Sequence, residues 1–361
     1  MQFGLSESQQ ILKDTAQKFF AGECPIAEVR RLMETETAYD VALWRKMAEQ
    51  GFTGIIFPEE HGGMGLGKFE LILLMEEAGR ALLPGPFFST VALAGPVLAA
   101  CGSAEQKKKY LGPISAGEAR STLALLESAA SWNPADVQLA ESGGKLTGEK
   151  LFVTDAAIAS FIVVVARNGV FVVDAKAAGI KIESMSGMDL TRKIYSVKFN
   201  NTPAEKLASP ENLARALDIA TTALVAELVG GMQRMLDLTV QYAKTRKQFG
   251  KPIGQYQAVQ HQCADMYLET ESSRSAAYYA AWALEENAPD AAQSVSVAKM
   301  YASDACRTVG NRGIQVHGGM GFTWENDIHL YYRRAKASET MLGDATFHRE
   351  RIAKMVVDAK G

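Results

Sequence analysis

A short cluster of basic, amide and aromatic side chains follows a long apolar-periodic segment in the second half of the chain. Arg246, Gln248 and Phe249 stand within four residues, and Gly250 with Pro252 marks the end of the preceding helix. A guanidinium group can bind a phosphate through two parallel hydrogen bonds, and an aromatic ring can stack on a planar base. The cluster therefore indicates a ligand that carries a phosphate and a planar ring. A basic helix end that only complements the helix dipole would show the same residues.

The composition is that of an ordinary globular protein of 361 residues, with 47% hydrophobic and 22% charged residues. The net charge of −3 argues against a nucleic-acid-binding protein. No apolar stretch approaches the roughly 20 residues of a membrane span. The cysteines lie far apart without the spacing of a zinc site, so we expect free thiols and no metal. The start of the sequence lacks a basic region followed by an apolar run, and we expect a cytoplasmic protein.

Hydrophobic periodicity predicts helices at both ends of the chain and strands in the middle. A capping box at Ser6 and Gln9 opens the first helix. The closely spaced strands predict an antiparallel sandwich or barrel, and the long helices after them predict a four-helix bundle. We therefore predict an α+β fold that is mainly α. Its parts are an N-terminal helical domain over 1–118, a middle β-domain over 119–208 and a C-terminal helical bundle over 209–361.

The element boundaries follow from the same periodicity and from the Gly, Pro, Asn and Asp residues between segments. The bundle helices are predicted over 211–245, 256–286, 291–314 and 331–359. The strands are predicted over 121–126, 145–148, 151–154, 161–166, 169–173, 179–182 and 195–199.

Two signatures within this architecture resemble the acyl-CoA dehydrogenase family. One is Thr-Arg-Lys-Gln-Phe-Gly-Lys-Pro-Ile over 245–253, and the other is Gly-Ile-Gln-Val-His-Gly-Gly-Met-Gly-Phe over 313–322. Supporting segments are Pro-Glu-Glu-His-Gly-Gly at 58–63, Phe-Val-Thr at 152–154 and Met-Asp-Leu-Thr-Arg at 188–192. The resemblance covers nearly the whole chain. It implies the family fold, an FAD cofactor and α,β-dehydrogenation of an acyl-CoA thioester.

The resemblance also implies that FAD is bound between subunits. The arginine–aromatic cluster would hold the pyrophosphate and adenine, and the glycine turn near residue 318 would complete the ADP end. Close packing of helices would explain the paired glycines equally well if they stood alone. The implied FAD-binding residues are Arg246, Gln248, Phe249, Gln315, Gly318, Gly319 and, at the flavin ring, Thr154.

Both positions of the family's catalytic base hold residues that cannot accept a proton. A glutamate of the family takes the α-proton of the thioester, and its motif Tyr-Glu-Gly-Thr reads Met-Leu-Gly-Asp over 341–344. Leu342 therefore stands at the base position, and Ala220 stands at the alternative position on an earlier helix. Asp218 matches an acidic residue that contacts the CoA adenine, but the arginine of that contact is replaced by Thr221. The ADP-binding end is preserved, whereas the catalytic and CoA contacts are eroded.

Three explanations of this split remain open. In the first, the chain is one subunit of a heteromeric bacterial acyl-CoA dehydrogenase of the α2β2 kind that degrades steroids, and its partner carries the base. In the second, it is a homo-oligomeric dehydrogenase, a dimer of dimers, with a relocated base. In the third, it is a repurposed or non-catalytic flavoprotein-fold subunit. The first two imply acyl-CoA as substrate and an electron-transfer flavoprotein as electron acceptor.

Glu227 is the foremost candidate for a relocated base. It lies seven residues beyond Ala220 and therefore on the same helical face. A buried glutamate paired with a basic residue explains the same position more simply. Glu339 and Asp344 are weaker candidates, and we expect Glu339 to pair with Arg333 or Arg334.

Overall fold

The computed structural model describes residues 4–357, which form two compact units. The helical unit comprises the residues up to Ile26, Ile72–Leu83 and the chain from Thr221 onward. The mixed unit comprises Ala27–Leu71 and Pro84–Ala220. The predicted domain boundaries at 118 and 208 follow the order of elements along the chain and stay a prediction.

The mainly helical α+β architecture with a middle β-domain is confirmed. The capping box at Ser6 and Gln9 is also confirmed, since each side chain bonds the backbone N–H of the other residue. No helix within residues 4–357 is long and apolar enough to cross a membrane. A π-helical segment, Phe88–Ala94, precedes the fifth α-helix. The α-helices are α1 Glu7–Glu23, α2 Ile26–Met33, α3 Val41–Glu49, α4 Lys68–Arg80, α5 Gly95–Cys101, α6 Ala104–Ser115, α7 Leu213–Thr245, α8 Gln257–Glu285, α9 Ala291–His317, α10 Ile328–Thr340 and α11 Ala345–Val356.

Two four-stranded sheets form the β-structure of the mixed unit. Their strands are β1 Ser121–Ala124, β2 Glu141–Ser142, β3 Lys145–Thr154, β4 Phe161–Ala166, β5 Gly169–Asp174, β6 Ile180–Met185, β7 Ile194–Pro203 and β8 Glu205–Lys206. The orders are β1-β4-β5-β8 and β2-β3-β7-β6. The core between them includes Ile162, Val164, Phe171, Val173, Tyr195, Val197 and Phe199.

The pairing differs from the predicted strand list in two respects. The two segments predicted at 145–148 and 151–154 form the single strand β3, which keeps pairing with β7 across irregular register shifts. The pairing is antiparallel throughout these two sheets except that β1 lies parallel to β4, with Ser121 opposite Phe161. Strand direction depends on the long connection between β1 and β4, which residue alternation does not encode.

The last predicted bundle helix is wrong as a single element, because α10 ends at Thr340 and α11 begins at Ala345. Leu342 and Gly343 both have left-handed φ values, +57° and +97°. The carboxylate of Asp344 then accepts the backbone N–H of Phe347 at 2.8 Å and caps α11. The predicted end of this helix, at residue 359, lies outside the described residues.

The backbones of α4 and α7 approach each other closely within the helical unit. A Cβ added to Gly79 would lie 2.0 Å from the carbonyl oxygen of Glu227, and one added to Gly230 would lie 1.8 Å from that of Glu76. Each helix thus presents a Glu-x-x-Gly sequence, and the glycine of one faces the glutamate backbone of the other. A backbone oxygen cannot move aside as a flexible side chain can, so a side chain at either glycine would push the helices apart.

Replacing Gly230 with Ala, or Gly79 with Ala, is expected to lower the free energy of unfolding by about 3 kcal/mol, because the new methyl group overlaps a backbone carbonyl. Gly231→Ala is the matched control on the same helix, since its Cβ would meet nothing within 4 Å. Alanine also favours helix, so this control should be neutral or slightly stabilising. Urea unfolding of the three variants measures the difference. Equal midpoints for Gly230→Ala and Gly231→Ala would contradict the close crossing.

Candidate functional site

The arginine–aromatic cluster lies in a small β-hairpin directly after α7. The glycine and proline signals predict these residues at the end of a helix, whereas in the structure β9 (Lys247–Gln248) and β10 (Lys251–Pro252) pair antiparallel there. Phe249 and Gly250 form the two-residue loop with left-handed φ values of +52° and +81°. Two successive positive φ values are typical of a type I′ turn. Gly250 therefore closes a hairpin instead of capping the helix, which corrects the predicted geometry.

The backbone of the hairpin is hydrogen-bonded to neighbouring residues of the helical unit, while the side chains that could bind a cofactor are exposed. The backbone N–H of Ile253 donates to the carbonyl of Arg246 at 2.8 Å, and the Tyr256 hydroxyl donates to that of Gln248 at 3.1 Å. Arg246 and Gln248 are exposed, and Phe249 is 93% exposed. A left-handed conformation at a non-glycine residue costs roughly 1–2 kcal/mol. Because the Phe249 ring is exposed, burial of the ring does not offset this cost. This combination favours a role in binding.

The glycine turn after α9 is open on the side where a ligand would approach. Gly318 has φ +59° and ψ −141°, a conformation open almost only to glycine. A Cβ on Gly318 or on Gly319 would meet nothing within 4 Å of its own chain. The alternative that close helix packing requires these glycines is therefore wrong. Gln315, Gly318 and Gly319 are exposed.

A stacked aromatic pair joins these two segments within the helical unit. The rings of Tyr242 and His317 lie 4.4 Å apart with an interplanar angle of 22°. Tyr242 is on the last turn of α7 before the hairpin, and His317 is the last residue of α9 before the glycine turn. An exposed guanidinium, two amides, an aromatic ring and an unobstructed glycine backbone thus belong to one structural unit. These groups fit the ADP half of FAD.

The turn over 341–344 holds Leu342 at the family's base position and is fixed by buried donors. Leu342 is only 5% exposed. The Lys299 ammonium donates to the carbonyls of Glu339 and Gly343, both at 2.8 Å, and Nε2 of His348 lies 3.0 Å from the carbonyl of Leu342. Burial lowers the pKa of Lys299 to about 8 and, together with the charge of Lys299, lowers that of His348 to about 4. His348 is therefore neutral near pH 7 and donates through Nε2, since its partner is a carbonyl.

The other carboxylates proposed near this turn have structural partners. Asp344 is the N-cap of α11. Glu339 pairs with Arg307 at 3.0 Å and with Lys336 at 2.6 Å. The expected pairing of Glu339 with Arg333 or Arg334 is therefore wrong.

Glu227 lies in a buried ion pair at the α4–α7 crossing. Its Oε1 accepts a hydrogen bond of 2.9 Å from Nη1 of Arg334, and both side chains are at most 5% exposed. Nη2 of Arg334 also donates to the carbonyl of Leu83 at 3.3 Å. The second position considered for a base, Ala220, is fully buried on α7.

The candidate residues of the mixed unit lie in buried surroundings. Thr154 is 2% exposed, and its hydroxyl lies 3.4 Å from that of Thr122. Asp218 is also buried. The fully buried ammonium of Lys150 donates to Glu127 at 2.7 Å, and the Glu127 carboxylate accepts two further backbone N–H groups. This pair fixes the loop after β1.

The structural roles of Lys299, Lys150 and Tyr242 are not predicted by the sequence patterns. Lys299 follows Ser-Val-Ser-Val-Ala in a run of apolar and small residues. A single lysine in such a run is the one signal that could have indicated its burial. Lys150 alternates with exposed residues and carries no comparable signal. Tyr242 sits next to the first signature, but its partner is 75 positions away.

Glu77 on α4 is a buried carboxylate beside another buried carboxylate, Glu76. Glu76 accepts hydrogen bonds from Lys13, Arg274 and Tyr278 at 2.7–3.1 Å. Burial and the negative charge of Glu76 raise the pKa of Glu77 to about 7, although Lys13, Arg80 and Arg274 act in the opposite direction. Glu77 thus titrates near neutral pH.

Comparisons with known proteins agree with this geometry. Residues 6–118 match the family of acyl-CoA dehydrogenase N-terminal domains, and residues 212–357 match the family of acyl-CoA dehydrogenase C-terminal domains. Acyl-CoA dehydrogenase IpdE2 of Mycolicibacterium smegmatis is 32% identical over 94% of this chain and 96% of the relative. The chain belongs to the acyl-CoA dehydrogenase family, whose enzymes are FAD-dependent oxidoreductases.

Two solved structures show how closely the fold is shared. One is a steroid acyl-CoA dehydrogenase, the Tcur3481-Tcur3483 G363A variant, with a TM-score of 0.91 and 32% sequence identity. The match covers 98% of this chain and 99% of the solved chain. The ChsE4-ChsE5 complex from Mycobacterium tuberculosis has a TM-score of 0.92 and 28% identity, with 99% coverage of both chains.

Removing one partner of the Glu227–Arg334 pair should destabilise the protein by about 3–5 kcal/mol, because the remaining charge stays buried. Glu227→Gln and Arg334→Met are the single variants. The double variant should lose at least about 1 kcal/mol less than their sum, because both charges are then removed. Urea unfolding measures this coupling. Strict additivity would contradict the pair.

The contribution of Glu77 to the free energy of unfolding should decrease as the pH rises from about 4.5 to about 7, because the folded state holds the Glu77 proton more tightly than the unfolded state. His348, whose pKa is lowered, contributes in the opposite direction between about pH 4 and pH 6.5, so the Glu77 contribution is isolated by substitution. Glu77→Gln mimics the protonated form, so it should raise the free energy of unfolding by about 1–3 kcal/mol at pH 8 and much less at pH 5. Unfolding midpoints at both values measure it. The exposed Glu49→Gln is the control. A gain for Glu77→Gln that is equal at both pH values would contradict the raised pKa.

Proposed function

We propose that this chain is the base-deficient subunit of a heteromeric FAD-dependent acyl-CoA dehydrogenase that forms the α,β double bond of an acyl-CoA thioester. The observation that carries the proposal is a contrast within the chain. The segments that fit the ADP half of FAD are complete and exposed, whereas Leu342 and Ala220 fill both base positions with apolar side chains. We call the hairpin segment with Arg246, Gln248 and Phe249 and the turn with Gln315, Gly318 and Gly319 the ADP arm. A subunit that contributes such an arm and receives a catalytic base from its partner has this combination.

Each residue of the ADP arm has a chemical task in this function. Arg246 would bind the pyrophosphate through charge-assisted hydrogen bonds, and Phe249 would stack on the adenine. Gln248 and Gln315 would donate from their amides, while Gly318 and Gly319 would let the backbone approach the cofactor. FAD held by these residues would supply the acceptor for the hydride that leaves the β-carbon of the thioester. In the mixed unit we assign Thr154 to the flavin ring and Asp218 to the CoA adenine, as the family resemblance implies.

The partner would supply the carboxylate that takes the α-proton. The similarity to the ChsE4-ChsE5 complex, an assembly of ChsE4 with ChsE5, supports a heteromer. As electron acceptor we assign an electron-transfer flavoprotein, which the family resemblance implies. Free thiols at all four cysteines support a reducing compartment, and we assign the chain to the cytoplasm. A bulky steroid-type acyl group is the first substrate class to test, because one similar structure is a steroid enzyme.

The homo-oligomeric alternative requires Glu227 to act as the base. A general base must lie within reach of the substrate proton. Glu227 could do so only if its carboxylate gave up its hydrogen bond to Arg334. The Glu227 carboxylate is 3% exposed and hydrogen-bonded to Arg334 at 2.9 Å, which favours a structural role. A non-catalytic subunit would share the missing base but would not need an exposed phosphate-binding arm.

Arg246→Ala should raise the Kd for FAD of the assembled enzyme by about 10- to 100-fold, because a hydrogen bond to a charged phosphate contributes about 1.5–3 kcal/mol. The full chain is purified from its source with its accompanying subunit, and FAD binding is titrated after removal of the flavin. Arg167→Ala is the control, since Arg167 is exposed on the turn after β4.

The accompanying subunit should be a second acyl-CoA dehydrogenase-like chain with a glutamate at the position of Leu342 or Ala220, identified by mass spectrometry. Absence of such a chain from an active preparation would contradict the heteromer. An unchanged FAD affinity in Arg246→Ala would contradict the ADP arm.

A further inference from the structure

The stacked pair of Tyr242 and His317 occupies the junction between the two halves of the ADP arm. The rings are nearly parallel, 4.4 Å apart, and His317 is 5% exposed. Tyr242 lies on the last turn of α7 and His317 is the last residue of α9, and the segments that follow these helices carry candidate cofactor contacts. A shift of either ring therefore displaces the point at which a binding segment leaves its helix.

His317 is held on both of its sides. Its Nδ1 lies 2.8 Å from the carbonyl of Gly313, one helical turn earlier. Burial lowers the pKa of His317, although that hydrogen bond acts in the opposite direction, so the ring is neutral at pH 7. Nδ1 then carries the proton and donates to the carbonyl. Gly321 packs back over the same residue, since a Cβ there would lie 3.2 Å from Cβ of His317.

Tyr242 is coupled to the hairpin through the backbone. Its carbonyl accepts the backbone N–H of Arg246 at 2.8 Å and the hydroxyl of Thr245 at 3.3 Å. The turn after the hairpin packs on the neighbouring residue, because a Cβ on Gly254 would lie 3.0 Å from the carbonyl of Ala243. The backbone of Arg246 is thus hydrogen-bonded to Tyr242, whose ring is held by the stack with His317.

We propose that Tyr242 and His317 are positioning residues that set the spacing between the arginine hairpin and the glycine turn, and thereby the affinity for the ADP half of FAD. This inference rests on the proposed function of the ADP arm. Neither residue contacts the cofactor in this account. Their effect is transmitted because a phosphate-binding and a base-binding segment must hold one ligand at a fixed separation.

The test measures FAD and ADP affinity of the assembled enzyme for five variants of this chain. His317→Ala and Tyr242→Ala should each raise the Kd of both ligands by up to about tenfold, since an aromatic pair contributes about 0.5–1.5 kcal/mol. His317→Phe and Tyr242→Phe keep a ring and should stay within about threefold of wild type. The double alanine variant should bind FAD and ADP no more weakly than the weaker-binding of the two single alanine variants, because all three variants remove the same ring contact.

A structural defect alone would reduce activity at every FAD concentration. A positioning role instead predicts that the FAD concentration for half-maximal turnover rises in His317→Ala while kcat at saturating FAD is unchanged. A fall in kcat with unchanged FAD affinity would overturn the proposal. Equal weakening by His317→Phe and His317→Ala would also overturn it, because the stack would then not be the operative contact.

Arg246→Ala in the same experiment separates the two proposals. If it weakens FAD while His317→Ala does not, only the positioning role fails. If neither variant affects FAD or ADP affinity, the ADP arm itself is wrong.

Discussion

The close approach of α4 and α7 is the constraint on which the helical unit depends. Gly79 and Gly230 let each helix press against the glutamate backbone of the other. The same crossing buries Glu76 and Glu227, so each carboxylate needs a cationic partner: Lys13 and Arg274 for one, and Arg334 for the other. Close packing and buried charge therefore arise together, because a contact that excludes side chains also excludes water.

This arrangement bears directly on the chemistry of the chain. A glutamate enclosed at a helix crossing and hydrogen-bonded to a guanidinium is already occupied by a structural partner, whereas a catalytic base must lie within reach of the substrate proton. The turn at 341–344 shows the complementary feature. Its backbone carbonyls are held by Lys299 and His348, yet the residue presented there is Leu342. The turn is thus ordered by its own donors without a glutamate at its centre.

Much of the fold could be predicted because its signals are local. Helical periodicity, the Ser6 capping box and the short alternating strands each depend on neighbouring residues, and the structure agrees with them. The break between α10 and α11 was missed, although Gly343 and Asp344 supply it, because apolar periodicity continues across the gap. The parallel pairing of β1 with β4 was also missed, since strand direction depends on a distant connection.

The candidate site divides in the same way. The two signatures identified the hairpin and the glycine turn as segments, and the open space around Gly318 and Gly319 then decided against packing as their reason. The partners of buried charges could not be read from the sequence: Glu339 binds Arg307 and Lys336, and Arg334 binds Glu227. Ion-pair choice depends on which helix faces meet. The sequence order of the helices does not reveal this.

The most direct test of the central claim is the visible flavin spectrum of this chain purified alone, supplied with FAD and titrated anaerobically with acyl-CoA thioesters. Because neither base position holds a carboxylate, the account predicts that no thioester bleaches the flavin, whereas a chemical reductant does. Bleaching by a thioester would contradict the account. Its loss in Glu227→Gln, with the fold intact, would identify Glu227 as the base.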